Sequence, residues 1–280
     1  MTVILNNGLM ALQHVNATTS KHFVKVLVVN LMPNKLETER QFVHLLSHLS
    51  VDVAVTFLRM SSHRSKHTDE RLLAQNYASL SSIYHQHFDG MIVTGAPVEE
   101  MAFEKVDYWA EFQALMDWRK QHVSQSIFEC WAAQAGVYAD FGIQKQVTNA
   151  KLFGVYRCRI NQRTELTAGL DRLSMPQSRH ATLGAINNPA LRVVASDPEA
   201  GPVVLTSAST HSTYISGHPE YETKTLFNEF HRDQEKGLPI QLPKNYFSAA
   251  VPVNTWQSDS IHLYNNWVHQ LTRDQAGIIS

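Results

Sequence analysis

Short apolar segments that alternate with amphipathic stretches constrain the fold of this chain more than any other feature. Val24 to Leu31 is continuous, rich in β-branched residues and followed by Pro33, as expected for a strand buried on both faces. Three further strand-like segments lie at 51–58, 88–94 and 126–130, and three helical stretches at 36–49, 106–121 and 131–141. This order predicts an α/β fold with a doubly wound, mostly parallel sheet.

The second half of the chain is less regular. Strand-like segments lie at 152–160, 191–195, 203–207 and 214–217, and helical ones at 223–236 and 258–271. The Pro- and Asn-rich stretch 237–253 between those helices reads as a surface loop or lid. Because no shift in composition marks a boundary, we expect a single domain over 1–280, with an N-terminal arm at 1–22 and a C-terminal loop and closing helix at 237–280.

Composition excludes several classes of function. The 280 residues carry 24 basic and 25 acidic side chains, so the sequence offers no polycationic surface for nucleic acid. It has no apolar run of about 18 residues and no pattern of a secretory signal. Its two cysteines, Cys130 and Cys158, form neither a disulfide framework nor a zinc-ligand spacing. We therefore expect a cytoplasmic protein that acts on small molecules, without a membrane, nucleic acid or metal partner.

Cys130 is the first candidate for chemistry, because it stands where an apolar strand passes directly into an Ala- and Gly-rich helix. Ligands bind outside the carboxyl ends of the strands in such sheets, and a helix N-terminus favours the thiolate form. The backbone amides of Trp131 and Ala96 are candidates for an oxyanion hole. From position alone, a buried structural cysteine is an equally good interpretation.

A cysteine nucleophile needs a base, and the base needs an orienting group. His218 follows a strand-like run, and Glu220 lies two residues further on, within reach of the imidazole. Any one of 15 histidines is weak evidence, and His44, His48, His85 and His122 are more simply read as helix-face or solvated residues.

Ordered motifs along nearly the whole chain resemble one family. They are NLMPNKLETE (30–39), TGAPVE (94–99), VDYW (106–109), CWAAQAG (130–136), KLFGVY (151–156), SRH (178–180), GHPEY (217–221) and PKNYF (243–247). The chain is similar in these blocks to the homoserine O-acyltransferases of the homoserine transsuccinylase type. The resemblance implies a fold like that of class I glutamine amidotransferases.

The resemblance also implies roles for individual residues. Cys130 matches the cysteine that carries the acyl group, His218 the general base, and Glu220 the acid that orients it. The positions that match residues lining the active site or contacting substrate are Lys35, Lys151, Ser178, Glu229 and Arg232. An arginine at position 232 suits the carboxylate of an amino acid, although an exposed helix-face ion pair is the simpler interpretation of Glu229 and Arg232 without the resemblance.

Glu99 predicts the acyl donor. In this family a glycine after GAPV or GAPL leaves room for succinyl, whereas a glutamate fills that space with a negative charge. A second carboxylate in a confined site is repelled, so we expect acetyl-CoA as co-substrate, with no bound cofactor. The family also implies a homodimer. A glutamate that caps a helix or faces water is the alternative.

Several positions depart from the family pattern: Arg157 and Cys158, Gln177, Ala181 and Thr182, and a shorter N-terminal arm. The substitutions lie beside Lys151 and Ser178 in the sequence motifs, which leaves both L-homoserine and L-serine open as acceptors, because one methylene is worth only about 1–3 kcal/mol. Three further functions stay open: succinyl transfer, glutamine hydrolysis on the same fold, and ligand binding without catalysis.

Overall fold

A computed structural model describes residues 2–13, 23–65 and 68–278. These residues form a ten-stranded sheet with strands β1 (Val3–Leu5), β2 (Val24–Val29), β3 (Val53–Leu58), β4 (Phe88–Val93), β5 (Val123–Glu129), β6 (Lys145–Ile160), β7 (Arg172–Leu183), β8 (Arg192–Asp197), β9 (Gly201–Ser207) and β10 (Ser212–Ile215). A separate pair comprises β11 (Phe247–Ser248) and β12 (Val251–Pro252). The α-helices are α1 (Lys35–Ser47), α2 (Glu70–Asn76), α3 (Trp109–His122), α4 (Trp131–Phe141), α5 (Thr225–Glu235) and α6 (Gln257–Ile278).

The sheet has the spatial order β1-β3-β2-β4-β5-β10-β9-β8-β6-β7. The first six strands in this order run parallel, and the remaining strands continue the sheet in antiparallel pairs. The predicted α/β class with a mostly parallel sheet is thus confirmed. It brings the carboxyl ends of β4, β5 and β10 side by side.

Two apolar cores cover the two faces of the sheet. Successive residues of β2 alternate between them: Val26 and Val28 pack into one core, Leu27 and Val29 into the other, as the pleat of a strand requires. Helices α1 and α6 contribute to the first core, and α3 and α4 to the second. Helices on both faces explain why the parallel strands read as continuous apolar runs.

The structure confirms the elements of the first half and adds to the ten-stranded sheet two strands that the sequence did not predict. Helix α4 has the expected bounds, and β2 to β5 lie within a few residues of theirs. The new strands are β1, which extends the sheet at one edge from within the N-terminal arm, and β7 at the other edge. Residues 14–22 of that arm lie outside the described residues, and the single-domain organisation stays a prediction.

Strand β7 was missed because its sequence mixes charges with a proline. Pro176 interrupts the apolar pattern, and the strand alternates buried with partly exposed positions. A proline is tolerated in an edge strand, since one side of the ladder needs no donor there. The predicted loop at 237–253 contains the short strands β11 and β12, and Lys244 from this loop bridges to Gly154 of β6. No α-helix among the described residues combines the length and apolarity needed to cross a bilayer.

Candidate active site

Cys130 occupies a sharp turn between β5 and α4. Its φ of 50° and ψ of −116° lie outside the conformations that a residue with a side chain usually adopts. The surrounding structure holds this strain, because the Cys130 N–H donates a hydrogen bond of 2.8 Å to the carbonyl oxygen of Ile215 in β10. Strain of this kind is typical of a nucleophile presented at a strand-to-helix turn.

His218 and Glu220 follow β10, the parallel neighbour of β5. The Nδ1–H of His218 donates to Oε1 of Glu220 at 2.8 Å, and the imidazole also has a side-chain hydrogen bond with Cys130. All three side chains are buried, with 3–4% of each residue exposed. The structure therefore brings Cys130, His218 and Glu220 together in the order nucleophile, imidazole and carboxylate.

The surroundings of His218 favour its charged form. Burial alone would lower the pKa of the imidazole, but the negative charges of Cys130 and Glu220, and hydrogen bonds to both, raise the pKa well above its usual value. An imidazole with a raised pKa is a stronger base toward a neighbouring proton donor.

The turn after β4 closes over the nucleophile. A Cβ atom built on Gly95 would lie 3.1 Å from Cβ of Cys130 and 3.1 Å from Cε1 of His218, so a side chain there would force these neighbours to shift by a few tenths of an ångström. Ala96 follows directly, and Trp131 is the first residue of α4, whose N–H has no acceptor within the helix. Both predicted oxyanion amides thus belong to segments that flank the sulfur, and their role stays a prediction.

A second polar cluster gathers most of the predicted substrate residues. Glu229 of α5 accepts hydrogen bonds from the hydroxyls of Ser178 at 2.6 Å and Tyr221 at 2.7 Å. The Lys151 ammonium donates to Oδ2 of Asp233 at 2.8 Å and lies 3.9 Å from Glu229. Since the side chain of Glu229 is only 12% exposed, it is not a solvated helix-face residue.

Arg232 extends the cluster toward solvent. Its Nε donates to Oδ1 of Asp233 at 2.8 Å, and its side chain is 51% exposed. The guanidinium is thus held by its neighbour Asp233 and leaves part of its N–H fork at the surface, where a substrate carboxylate could bind.

Tyr221 joins this cluster to the catalytic candidates. Its ring stacks on the His218 ring at a centroid distance of 4.1 Å, while its hydroxyl is bound to Glu229. The cluster around Glu229 and the imidazole of His218 therefore share one rigid side chain.

Two predicted residues lie elsewhere. The buried Lys35 donates to the carbonyl oxygen of Asn30 at 2.6 Å and lines a small cavity with Arg59 and His63 at the ends of β2 and β3. The structure therefore does not bring Lys35 into the Glu229 cluster, and its place at the active site stays a prediction. Glu99 is half-buried in the loop after β4 and interacts electrostatically with Lys145.

One of the departures from the family pattern, Gln177, lies beside the catalytic candidates. Gln177 pairs with Gly154 across β6 and β7, and its Nε2 lies 2.7 Å from the place of a Cβ on Gly217. Arg157 is exposed, and Cys158 packs in the apolar core. The expectation that all these changes border the acceptor pocket was therefore wrong for positions 157 and 158, because the strand carries them away from Ser178.

Several residues of the site were not singled out from the sequence. Arg179 is 1% exposed, binds the carbonyl oxygens of Ala181 and Ala200, and interacts electrostatically with Cys130. Asp233 and Tyr221 are sequence neighbours of the predicted residues Arg232 and Glu220, and this proximity could have identified them. Glu129 could have been identified as an acidic residue inside an apolar strand. The described residues contain no group of three or more His, Cys, Asp and Glu side chains placed to hold a metal ion.

Comparisons with known proteins show which family and which fold this chain resembles. The homoserine O-acetyltransferase of Leuconostoc mesenteroides subsp. mesenteroides is 43% identical over 271 residues, covering 95% of this chain and 88% of the relative. That of Bacillus subtilis is 38% identical over 253 residues, covering 88% and 84%. A glutamine amidotransferase from Thermotoga maritima has a similar fold, with a TM-score of 0.60, 12% identity and coverage of 89% and 98%.

The family model described as homoserine O-succinyltransferase matches residues 1–277. With this match and relatives near 40% identity, the chain belongs to the homoserine O-succinyltransferase family of acyltransferases.

Proposed function

We propose that this chain transfers the acetyl group of acetyl-CoA to the side-chain hydroxyl of L-homoserine, as a step of methionine biosynthesis. The observation that carries the proposal is the strained turn at Cys130 beside the His218–Glu220 pair. The relatives named homoserine O-acetyltransferase support both the acceptor and the acyl group.

In the first half-reaction the Cys130 thiolate attacks the thioester carbonyl carbon of acetyl-CoA. The backbone N–H groups of Trp131 and Ala96 donate hydrogen bonds to the carbonyl oxygen and stabilise the negative charge that develops on it. Collapse of this intermediate breaks the carbon–sulfur bond to CoA, which takes the His218 proton as it leaves. The product is an acetyl group on the sulfur of Cys130.

In the second half-reaction the amino acid binds at the Glu229 cluster. Arg232 receives its carboxylate, and Glu229 its ammonium group. His218 accepts the proton of the side-chain hydroxyl, whose oxygen attacks the acetyl-cysteine carbonyl, and the thiolate of Cys130 leaves. Glu220 keeps the imidazole oriented during both proton transfers.

Glu99 supports acetyl as the acyl group. Its carboxylate is half-buried in the loop that begins at Gly95, so a succinyl carboxylate in the same space would meet a like charge. Lys145 lies close enough to interact with Glu99 electrostatically and helps to hold the ionised carboxylate in place.

L-Serine is a second candidate acceptor on one observation. Gln177 lies against Gly217, the residue before His218. The family resemblance implies a histidine at position 177. A change this close to the base alters the room for the acceptor side chain, and one methylene changes affinity by only about 1–3 kcal/mol.

The decisive experiment compares acetyl-CoA and succinyl-CoA as donors with L-homoserine and L-serine as acceptors. We expect transfer from acetyl-CoA, parallel lines in double-reciprocal plots, and an acetyl group on Cys130 by mass spectrometry when the acceptor is omitted. Cys130→Ala should lose both transfer and labelling. Cys158→Ala, which changes the other buried cysteine, is the matched control and should keep them.

Two results would contradict the proposal. An acetyl-enzyme that never forms, with intersecting kinetic lines, would exclude the cysteine intermediate. Release of ammonia from glutamine, with no acyl transfer, would favour the hydrolase that also uses this fold.

A further inference from the structure

Glu129 is a buried carboxyl group that the reaction scheme does not use. It is the last residue of β5, fully buried, and pairs in register with Ile215 of β10. One of its oxygens, Oε1, accepts a hydrogen bond from the hydroxyl of Tyr264 in α6. Its position directly before Cys130 places it behind the nucleophile, on the side of Glu220.

The other oxygens of the two carboxyl groups lack a donor. Oε2 of Glu129 and Oε2 of Glu220 are both buried, and neither has a hydrogen-bond donor among the described residues. Glu129 and Glu220 are neighbours whose charges act on each other. Two ionised carboxylates are acceptors only and could not satisfy each other's buried oxygens. A single proton shared by the pair would give both oxygens a partner.

The electrostatics indicate which carboxyl group holds that proton. Burial and the negative charge of Glu220 raise the pKa of Glu129 well above its usual value, and the hydroxyl of Tyr264 and the charge of His218 offset this only in part. Glu220, in contrast, accepts the Nδ1–H of His218 and faces its positive charge. Glu220 therefore already acts as a hydrogen-bond acceptor, and Glu129 is the member of the pair that can hold the proton.

We propose that Glu129 is a neutral carboxylic acid in the resting protein and donates a hydrogen bond to Oε2 of Glu220. It is a positioning residue, and this inference rests on the proposed roles of His218 and Glu220. The bond completes a chain from the Tyr264 hydroxyl through Glu129, Glu220 and His218 to Cys130. It leaves Oε1 of Glu220 as the oxygen that orients the imidazole, and it reduces the tendency of Glu220 to take the proton of His218.

The ionisable groups that face Glu129 are Glu220 and His218 after β10 and Tyr264 of α6. Once the pH rises far enough for Glu129 to ionise, it turns from a donor into a second anion beside Glu220. The Glu220 carboxylate then loses its fixed orientation, and acyl transfer should fall.

Infrared difference spectroscopy of the purified full-length protein tests the protonation state without any substrate. Wild type minus Glu129→Gln should show the carbonyl stretch of a protonated carboxyl group at neutral pH. The amide of Glu129→Gln can accept from Tyr264 and donate to Glu220, so its kcat/KM should stay within about threefold of wild type. As the pH rises, this variant should also keep the acyl-transfer activity that wild type loses when Glu129 ionises.

Glu129→Leu keeps a side chain of similar size but provides no donor, and it should lower kcat/KM at least about tenfold. Glu39→Gln is the matched control: Glu39 is also buried and bound by a tyrosine hydroxyl, that of Tyr77, but its remaining donors are the backbone amides of Leu9 and Met10. This variant should not change the pH profile of transfer.

Either of two outcomes would overturn the proposal: no protonated-carboxyl band that disappears in Glu129→Gln, or a Glu129→Leu protein that transfers acetyl as fast as wild type at every pH. Should wild type transfer no acyl group at all, the proposed function would fail, while the infrared spectrum would still decide the protonation of Glu129.

Discussion

At position 95 the chain carries a glycine because the nucleophile and the base fill the space where a side chain would begin. The Cβ positions of Gly95 and Cys130 would be 3.1 Å apart, and Cε1 of His218 would be equally close. Contacts this short force the neighbouring atoms to move. The distance between sulfur and imidazole thus depends on the absence of one methyl group in the adjacent loop.

We expect Gly95→Ala to lower kcat by about 100-fold while the protein stays folded, because displacements near 1 Å at reacting groups have effects of that size. Steady-state kinetics and thermal unfolding measure the two properties separately. Gly142→Ala is the control: its φ of 70° strains the backbone, but no heavy atom lies within 4 Å of the added carbon. It should lose about 1 kcal/mol of stability and keep its activity. Full activity of Gly95→Ala would show that the loop can move away.

A substitution at Glu99 tests which acyl-CoA the enzyme accepts as donor. Glu99→Gly removes the carboxylate that interacts with Lys145. The positive charge of Lys145 can then attract the carboxylate of a succinyl group. The ratio of kcat/KM for succinyl-CoA to that for acetyl-CoA should rise at least about tenfold, which corresponds to about 1.4 kcal/mol. Glu100→Gly removes the exposed neighbouring charge and should leave the ratio unchanged. If both variants kept the wild-type ratio, Glu99 would not face the acyl group.

At the scale of elements, helix α5 positions the residues of the Glu229 cluster. One turn of this helix supplies Glu229, Arg232 and Asp233, and the two oxygens of Asp233 separately hold Lys151 and Arg232. Opposite charges so close to each other orient one another, and Asp233 therefore helps to fix the positions of both cations.

We expect Asp233→Asn to raise the KM for the amino acid about tenfold, with little change in the acetylation of Cys130 by acetyl-CoA. The amide cannot accept from both cations in the same geometry, and the acceptor would have to order them itself. Single-turnover acetylation and steady-state acceptor kinetics separate the two effects. Asp171→Asn serves as control, because its pair with Arg163 is exposed and contributes little. Equal losses in both half-reactions would contradict a role confined to the acceptor.

Elements with strong local signals could be predicted from the sequence. The buried strands β2 to β5 are continuous apolar runs, and the passage from strand to helix marks Cys130 without any knowledge of distant residues. Strand β7 carries Pro176 and alternating exposure, so no local pattern distinguishes it from a loop. The cluster around Glu229 required the family resemblance, since α5 meets Ser178 and Lys151 only in the folded chain.

The contact between Tyr264 and Glu129 shows the limit of such prediction. These residues are 135 positions apart, and only the packing of α6 against the sheet brings them together. An acid in an apolar strand is visible in the sequence, but its partners and its charge are not. The identity of the proton donor to Glu220 is therefore a property of the whole fold.

At the scale of the whole molecule, burial of Glu129 and His218 links folding to proton binding. The pKa of each group is raised in the folded protein. In the unfolded chain both groups are in water and release their protons at lower pH. Above their unfolded pKa values these two groups hold more protons in the folded state than in the unfolded state, so their own contribution to the free energy of unfolding falls as pH rises.

Glu129→Gln isolates one of these protons. An unfolded glutamate releases its proton near pH 4.5, whereas Glu129 keeps it in the folded protein, so the contribution of this group to stability is fully present below that pH and decreases above it. Between pH 4.5 and the raised pKa of Glu129 in the folded protein, the free energy of unfolding of wild type should fall by up to ~1.4 kcal/mol per pH unit more than that of Glu129→Gln. Urea unfolding followed by tryptophan fluorescence at several pH values measures both slopes, and the His218 contribution cancels because both proteins retain it. Parallel slopes would mean that Glu129 is ionised in the folded protein. They would contradict the proposal that it holds a proton and donates it to Glu220 in a hydrogen bond.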